Sequence, residues 1–155
     1  MSLVFLAASQ NVDFIGFHTK PVDLPISRRQ RLDDVIRTIR QAEGGGTDCA
    51  IPFKVATKVK AHVDTFVILT DSETWAGRQH PAEALKQYRR EVNPYAKVAI
   101  LSMAATNYTV GDITDRFVLQ GCGLDTAIPS LVAGLASGGA SNATMDTTAD
   151  SDSGV

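Results

Sequence analysis

Two oxygen-rich clusters carry most of the chemical promise in this 155-residue chain. The apolar run 65–70 (TFVILT) passes straight into Asp71-Ser72-Glu73-Thr74, and Gly44-Gly45-Gly46 leads into Thr47-Asp48-Cys49. A short run of Val, Ile and Phe that ends in Asp reads as a strand delivering a carboxylate at its carboxyl end, which is where ligands gather in open parallel sheets. The glycines read as a flexible loop that presents a hydroxyl and a second carboxylate. A hydroxyl and a carboxylate meeting at one sheet edge are hard oxygen donors of the kind Mg²⁺ or Ca²⁺ prefers. The same residues also suit plainer roles: Asp71 with Ser72 and Thr74 as a turn or helix cap, and Gly-Thr-Asp as an ordinary loop and helix start.

Other chemistries fit less well. The three glycines lack the Gly-x-x-x-x-Gly-Lys-Ser/Thr and Gly-x-Gly-x-x-Gly patterns that would cradle phosphates, so a nucleotide role is not expected. Asp48, Asp71 and Glu73 with His80 as a base would resemble a hydrolase cluster, yet no Ser or Cys stands in an activating context. The chain is read as a non-enzyme, with His80 capping the helix that opens at Pro81 and with His18 and His62 at the surface. Arg28, Arg29, Arg31, Arg37 and Arg40 form the densest basic stretch, but Asp33, Asp34 and Glu43 interrupt it, and a solvated helix face outweighs an RNA patch. Trp75, the sole tryptophan, directly follows the acidic loop. It suits an anchor for a partner and a lid over the neighbouring helix equally. Asn107-Tyr108-Thr109 follows the apolar run 96–103 and is expected at the same edge, where Asn107 would line the site.

The elements that must position these groups alternate in period. Segments 12–17 (VDFIGF), 65–70 and 96–103 (AKVAILSM) are short and apolar, as strands covered on both faces are, and all three read as central strands. Between them lie helical patterns. Ser27 and Gln30 form a capping box before Leu32, Val35, Ile36 and Ile39 on one face, with Gly44 as a stop, which predicts a helix over 28–42. Residues 50–60 are amphipathic. Pro81 opens a helix with Leu85, Tyr88 and Val92 inward that Asn93-Pro94 ends, and a last helix covers 127–136 with Thr126 as its cap and Ile128, Leu131, Val132 and Leu135 inward. Strands alternating with helices predict an α/β fold, a doubly wound, mostly parallel sheet with helices on both faces.

Composition agrees with a single globular domain. Hydrophobic residues at 44% and charged residues at 21% exclude a chain disordered throughout. No apolar run approaches the ~20 residues needed to cross a bilayer, and the start lacks a basic stretch followed by a cleavable apolar one, so no membrane partner and a cytoplasmic location are expected. Cys49 and Cys122 are the only cysteines and are read as buried free thiols. Three of the 17 acidic residues lie in 137–155, a stretch without Lys, Arg or large apolar residues except Met145 and Val155. That segment is expected to be a disordered acidic tail behind a folded domain at 1–136. The domain itself carries 15 basic and 14 acidic side chains, too even a balance to imply nucleic-acid binding by itself.

Four segments together carry a family resemblance: GGGTDCAIP, TFVILTDSETWAGRQHPAEALKQYRR, AKVAILSMAATNYTVGDITDR and CGLDTAIPSLVAGL. They resemble successive pieces of the von Willebrand factor A domain of Ro autoantigen (TROVE-module) proteins. The likeness runs from about residue 11 to residue 136, and TDSETWAG and HPAEAL are specific to this subgroup. The resemblance implies a metal-ion-dependent adhesion site built from an Asp-x-Ser-x-Ser motif after the first strand, a Thr in the next loop and an Asp after the fourth strand. Thr47 matches the Thr and Asp71 the last Asp. The Asp-x-Ser-x-Ser motif is absent: Asp150-Ser151-Asp152-Ser153 lies in the tail and has Asp at the third position. Family members also carry an amino-terminal ring of helical repeats that binds misfolded non-coding RNA and contacts Y RNA, and nothing in these 155 residues resembles it.

The resemblance places the lacking strand between 12–17 and 65–70, which would leave two apolar strand edges without a partner. The favoured expectation is the carboxyl-terminal piece of a split or frameshifted gene, whose other half supplies the strand and the RNA-binding module. Direct re-pairing of the two edges and a decayed remnant are the alternatives. The implied function is a non-enzymatic binding module of a Ro-like RNA-binding protein, with a partial site for Mg²⁺ or Mn²⁺ at Thr47 and Asp71, to which Asp48 is expected to belong and which Ser72, Glu73, Trp75 and Asn107 would line. The rival is a stand-alone domain that binds a carboxylate-bearing protein partner through the cation.

Overall fold

The computed structural model describes residues 11–27, 29–41, 46–70, 77–103, 114–122 and 127–137. In chain order these form β1 (Ile15–Phe17), β2 (Pro21–Asp23), α1 (Leu32–Gln41), α2 (Ile51–Val59), β3 (Thr65–Thr70), α3 (Pro81–Glu91), β4 (Lys97–Ser102), β5 (Val118–Cys122) and α4 (Ile128–Ala136). Strands β3, β4 and β5 form a parallel sheet in that order. Its register runs from Thr65 opposite Lys97 to Thr70 opposite Ser102, and from Val98 opposite Val118 to Ser102 opposite Cys122. Thr70, Ser102 and Cys122 therefore end the three strands in one row.

Helices cover both faces, as the alternation of strand and helix patterns predicts. Side chains of a strand point alternately to opposite faces. Val98 and Ile100 of β4 accordingly join Phe53 and Ala56 of α2, Phe66 and Ile68 of β3, and Leu85 and Tyr88 of α3 in one core. Ala99 and Leu101 join Ile128, Val132 and Leu135 of α4 on the other side. The interior of β4 is sealed on both faces, which is why it reads as an unbroken apolar run. Phe66 stacks edge-on against Phe53 and Tyr88, with ring centroids 4.9 and 5.0 Å apart.

Tyr88 also carries the polar seam of this core. Its hydroxyl accepts from the Val63 N–H at 2.7 Å and donates to the Ala61 carbonyl at 2.8 Å, so α3 holds the segment that feeds β3. Asn93, buried, donates from its amide to the Val63 carbonyl at 3.0 Å. Tyr88→Phe should leave the Val63 N–H and the Ala61 carbonyl without this partner and cost about 1–3 kcal/mol. Urea denaturation would measure it, and a midpoint equal to that of the native chain would remove the hydroxyl from the stability account.

Three expectations change. Segment 12–17 is not a central strand of the parallel sheet among the described residues. Only Ile15–Phe17 is extended, and it pairs antiparallel with Pro21–Asp23 as a separate hairpin, Ile15 opposite Asp23 and Phe17 opposite Pro21. Proline has no N–H to donate, which suits Pro21 to the end of a short two-stranded pairing. The hairpin is still attached to the body, because Phe17 packs against the α2–α3 core.

The first helix starts at Leu32 rather than at 28. The Ser27–Gln30 contact forms, with the Ser27 N–H donating to Gln30 Oε1 at 2.9 Å, but it closes a turn that precedes the helix. Of the expected inward face of α1, Val35 is buried, whereas Leu32, Ile36 and Ile39 are exposed among the described residues. Finally, β5 has no counterpart in the sequence reading, because its five residues VLQGC end in Gly-Cys and show neither strict alternation nor an apolar run.

The other boundaries match closely. Residues 65–70 are β3, α2 lies within 50–60, and α4 begins one residue after 127 with Leu131 half-buried. His80 caps α3 as expected, its Nδ1 accepting from the Ala82 N–H at 3.2 Å. Cys49 is buried, as expected, with its thiol 3.9 Å from Thr70 Oγ1. Gly44, Thr126 and the tail 138–155 lie outside the described residues.

Candidate functional site

The three co-terminal strands make one rim, and the loop before α2 is stitched to it. The Asp48 N–H donates to the His18 carbonyl at 2.9 Å, which ties the loop to the end of the β1 hairpin strand. One residue on, the Cys49 thiol contacts Thr70 Oγ1 at 3.9 Å, which ties it to the last residue of β3. Thr47, half-buried, therefore sits in a segment fixed between two strand ends. Thr70 directly precedes Asp71 in the chain, so the Thr47-Asp48-Cys49 loop reaches the last described residue before the second sequence cluster. Asp71, Ser72, Glu73, Trp75 and Asn107 themselves lie outside the described residues.

Asp48 is occupied. Its side chain is 9% exposed; Oδ1 accepts from the Ala50 N–H at 2.9 Å and Oδ2 pairs with Lys54 Nζ at 3.2 Å. The first bond anchors the start of α2, where a carboxylate satisfies an N–H that has no partner within the helix. The second compensates a charge that burial would otherwise penalise. A carboxylate so engaged anchors the start of α2 rather than standing open to a cation.

Gly77 completes the arrangement. A Cβ at this position would stand 2.4 Å from Asp48 Oδ1 and 2.5 Å from its carboxyl carbon. The backbone that follows 71–76 thus presses directly onto the carboxylate, and only glycine permits the approach. Sequence reasoning passed over Lys54 and Gly77. A lysine six residues after Asp48 would face it only if a helix began between them, and the glycine of Trp-Ala-Gly looks like any loop glycine until its neighbour is known.

A Thr hydroxyl and a carboxylate are the hard oxygen donors that a divalent cation prefers, and of Thr47 and Asp71 the first lies among the described residues. Among the described residues no group of three His, Cys, Asp or Glu side chains is placed to hold a metal ion. No described helix is long and apolar enough to cross a membrane.

Comparison with known proteins agrees with this architecture. The Ro60 vWA domain family matches residues 1–136. The RNA-binding protein RO60 of Deinococcus radiodurans is 35% identical over 138 residues, which is 89% of this chain and 26% of that protein. The RNA-binding protein RO60 of Caenorhabditis elegans is 35% identical over 133 residues, 85% of this chain and 21% of that one. The crystal structure of the Deinococcus radiodurans RO (RSR) protein superposes with a TM-score of 0.81 at 34% identity, covering 90% of this chain and 28% of that chain. This chain spans about a quarter of the length of these relatives. With a matching family, a matching fold and a rim assembled from the same segments that carry the sequence resemblance, the chain belongs to the Ro60 vWA domain family.

Proposed function

We propose that the chain is a non-enzymatic binding module acting within a cytoplasmic Ro-like RNA-binding assembly, and that its rim holds a divalent cation, Mg²⁺ or Mn²⁺. The Thr47 hydroxyl and the Asp71 carboxylate would hold the ion, with Ser72, Glu73, Trp75 and Asn107 lining the approach. The relatives are named RNA-binding proteins, and this chain corresponds to about a quarter of their length. Contact with non-coding RNA through a helical-repeat module outside these 155 residues is therefore part of the same proposal. The observation that supports the cation site most directly is the Cys49–Thr70 contact, which fixes the Thr47 loop against the residue before Asp71.

A ligand that binds only the native state raises its stability. Mg²⁺ or Mn²⁺ at about ten times its dissociation constant should add about 1.4 kcal/mol. For a chain of this size that corresponds to roughly 3–6 °C in Tm. Asp71→Ala should abolish the shift without lowering the metal-free Tm. A native chain whose Tm ignores millimolar Mg²⁺ and Mn²⁺ would defeat the cation proposal. If the metal-loaded chain instead captures a carboxylate-bearing protein and the Asp71→Ala variant does not, the stand-alone adhesion reading replaces the RNA-assembly one.

A further inference from the structure

The face of α2 and α3 that points away from the sheet carries an uneven charge. Lys54, Thr57, Lys58, Ala84 and Gln87 line an open groove of about 250 Å³ between the two helices. Gln87 is shared with a second groove of about 550 Å³ along α3, which Gln79, Glu83, Lys86, Arg89 and Arg90 complete. Lys58, Lys86 and Arg90 are exposed and have no carboxylate partner among the described residues. Lys86 and Arg90 are one helical turn apart, about 6 Å along the axis.

The acidic groups nearby do not cancel this charge. Glu91 is bound to Lys60 at 2.8 Å and also accepts from Gln87; the Lys60 hydrogen bond, then the Gln87 bond, hold its carboxyl below the usual carboxylate range. Asp48 is held by Lys54 and Asp115 by Arg89. Among the described residues Glu83 is the one acidic residue in the lining of either groove.

We infer that this two-groove face binds the phosphate backbone of single-stranded RNA directly. Exposed Lys and Arg supply the charge, and the amide nitrogens of Gln79 and Gln87, which donate one N–H to Gln87 Oε1 and Glu91 Oε1 respectively, each carry a second N–H of the kind that bonds phosphate and sugar oxygens. Among the described residues neither groove is lined by an aromatic side chain on which a base could stack, and the contact proposed follows the backbone and is indifferent to sequence. The surface lies on the helices and uses neither Thr47 nor Asp71; Lys54 of its lining pairs with Asp48 beside Thr47 and is not among the cations proposed to hold RNA.

The test is fluorescence anisotropy of a short labelled single-stranded RNA titrated with the whole chain in EDTA, from about 50 to about 200 mM salt. The native chain should bind with an affinity that falls steeply as salt rises. The triple variant Lys58→Ala, Lys86→Ala, Arg90→Ala should bind at least about tenfold more weakly at the lowest salt, and its log–log salt slope should be shallower by about 2, from about 0.7 per lost phosphate contact. Glu83→Gln should tighten binding severalfold, a gain that misfolding would not produce. Asp71→Ala should bind RNA like the native chain even if it loses its response to Mg²⁺, which separates this surface from the cation site. The inference is overturned if the native chain binds no RNA at about 50 mM salt. It is equally overturned if the groove triple keeps the native slope, or if Arg31→Ala, Arg37→Ala, Arg40→Ala on α1 weakens binding as much as the groove triple does.

Discussion

Gly77→Ala should strongly destabilise this domain. The new Cβ would lie 2.4 Å from Asp48 Oδ1, well inside van der Waals contact, and the carboxylate has little room to retreat. Its two oxygens are committed to the Ala50 N–H and to Lys54, and its side chain is 9% exposed. Overpacking alone costs about 1–3 kcal/mol. Displacing the carboxylate from Lys54 adds part of the penalty of an uncompensated buried charge, so a total of about 2–4 kcal/mol is expected. That corresponds to a Tm roughly 4–16 °C lower. Urea denaturation followed by circular dichroism measures it, and the cause is isolated in an Asp48→Ala background. There the same glycine substitution should cost under about 1 kcal/mol, because the atoms it collides with are gone. Equal costs in the two backgrounds would show that the glycine is needed for another reason.

Arg89→Ala should have the second-largest effect. The guanidinium donates from Nε at 3.0 Å and from Nη2 at 2.8 Å to the carbonyl of Ala96, a residue with 0% exposure, and from Nη1 to Asp115. It also stands 5.7 Å from the Phe117 ring centroid. One planar fork thus joins α3 to the residue before β4 and to the turn before β5. Removing it strands a buried carbonyl and a carboxylate that is only 23% exposed, for about 2–4 kcal/mol by the cost of unsatisfied buried groups. Arg89→Lys keeps the charge and loses the geometry, since an ammonium group does not reproduce the planar fork. It should recover about half of the loss, again by denaturation. A lysine variant as stable as the native chain would mean that charge alone matters here.

Most of the parallel sheet was legible because its strands are apolar on both faces: 65–70 and 96–103 had no other sensible assignment. Helix α3 was legible for a different reason, since His80, Pro81 and Glu83 mark its start and Asn93-Pro94 its end. The misreadings share a cause. The ends of elements and the short strands β1, β2 and β5 are decided by tertiary neighbours rather than by local pattern. Residues 12–17 look like a buried strand on composition, yet their pairing with 21–23 depends on a turn at His18–Lys20 that no periodicity announces. Ser27 and Gln30 met as expected, but the box closed a turn instead of a helix. Thr47 and Asp71 were singled out through residue type and resemblance, and Asp71 lies outside the described residues, while Lys54 and Gly77 matter through their contact with Asp48, which is a fact of three dimensions.

The row formed by Thr70, Ser102 and Cys122 has an evolutionary corollary. Because the ladder stops at the same level in all three strands, what comes after each can lengthen, shorten or change composition without moving a single rung behind it. Selection on the ligand and selection on the scaffold then act on separate stretches of the gene, so descendants could trade one cargo for another while inheriting the same framework.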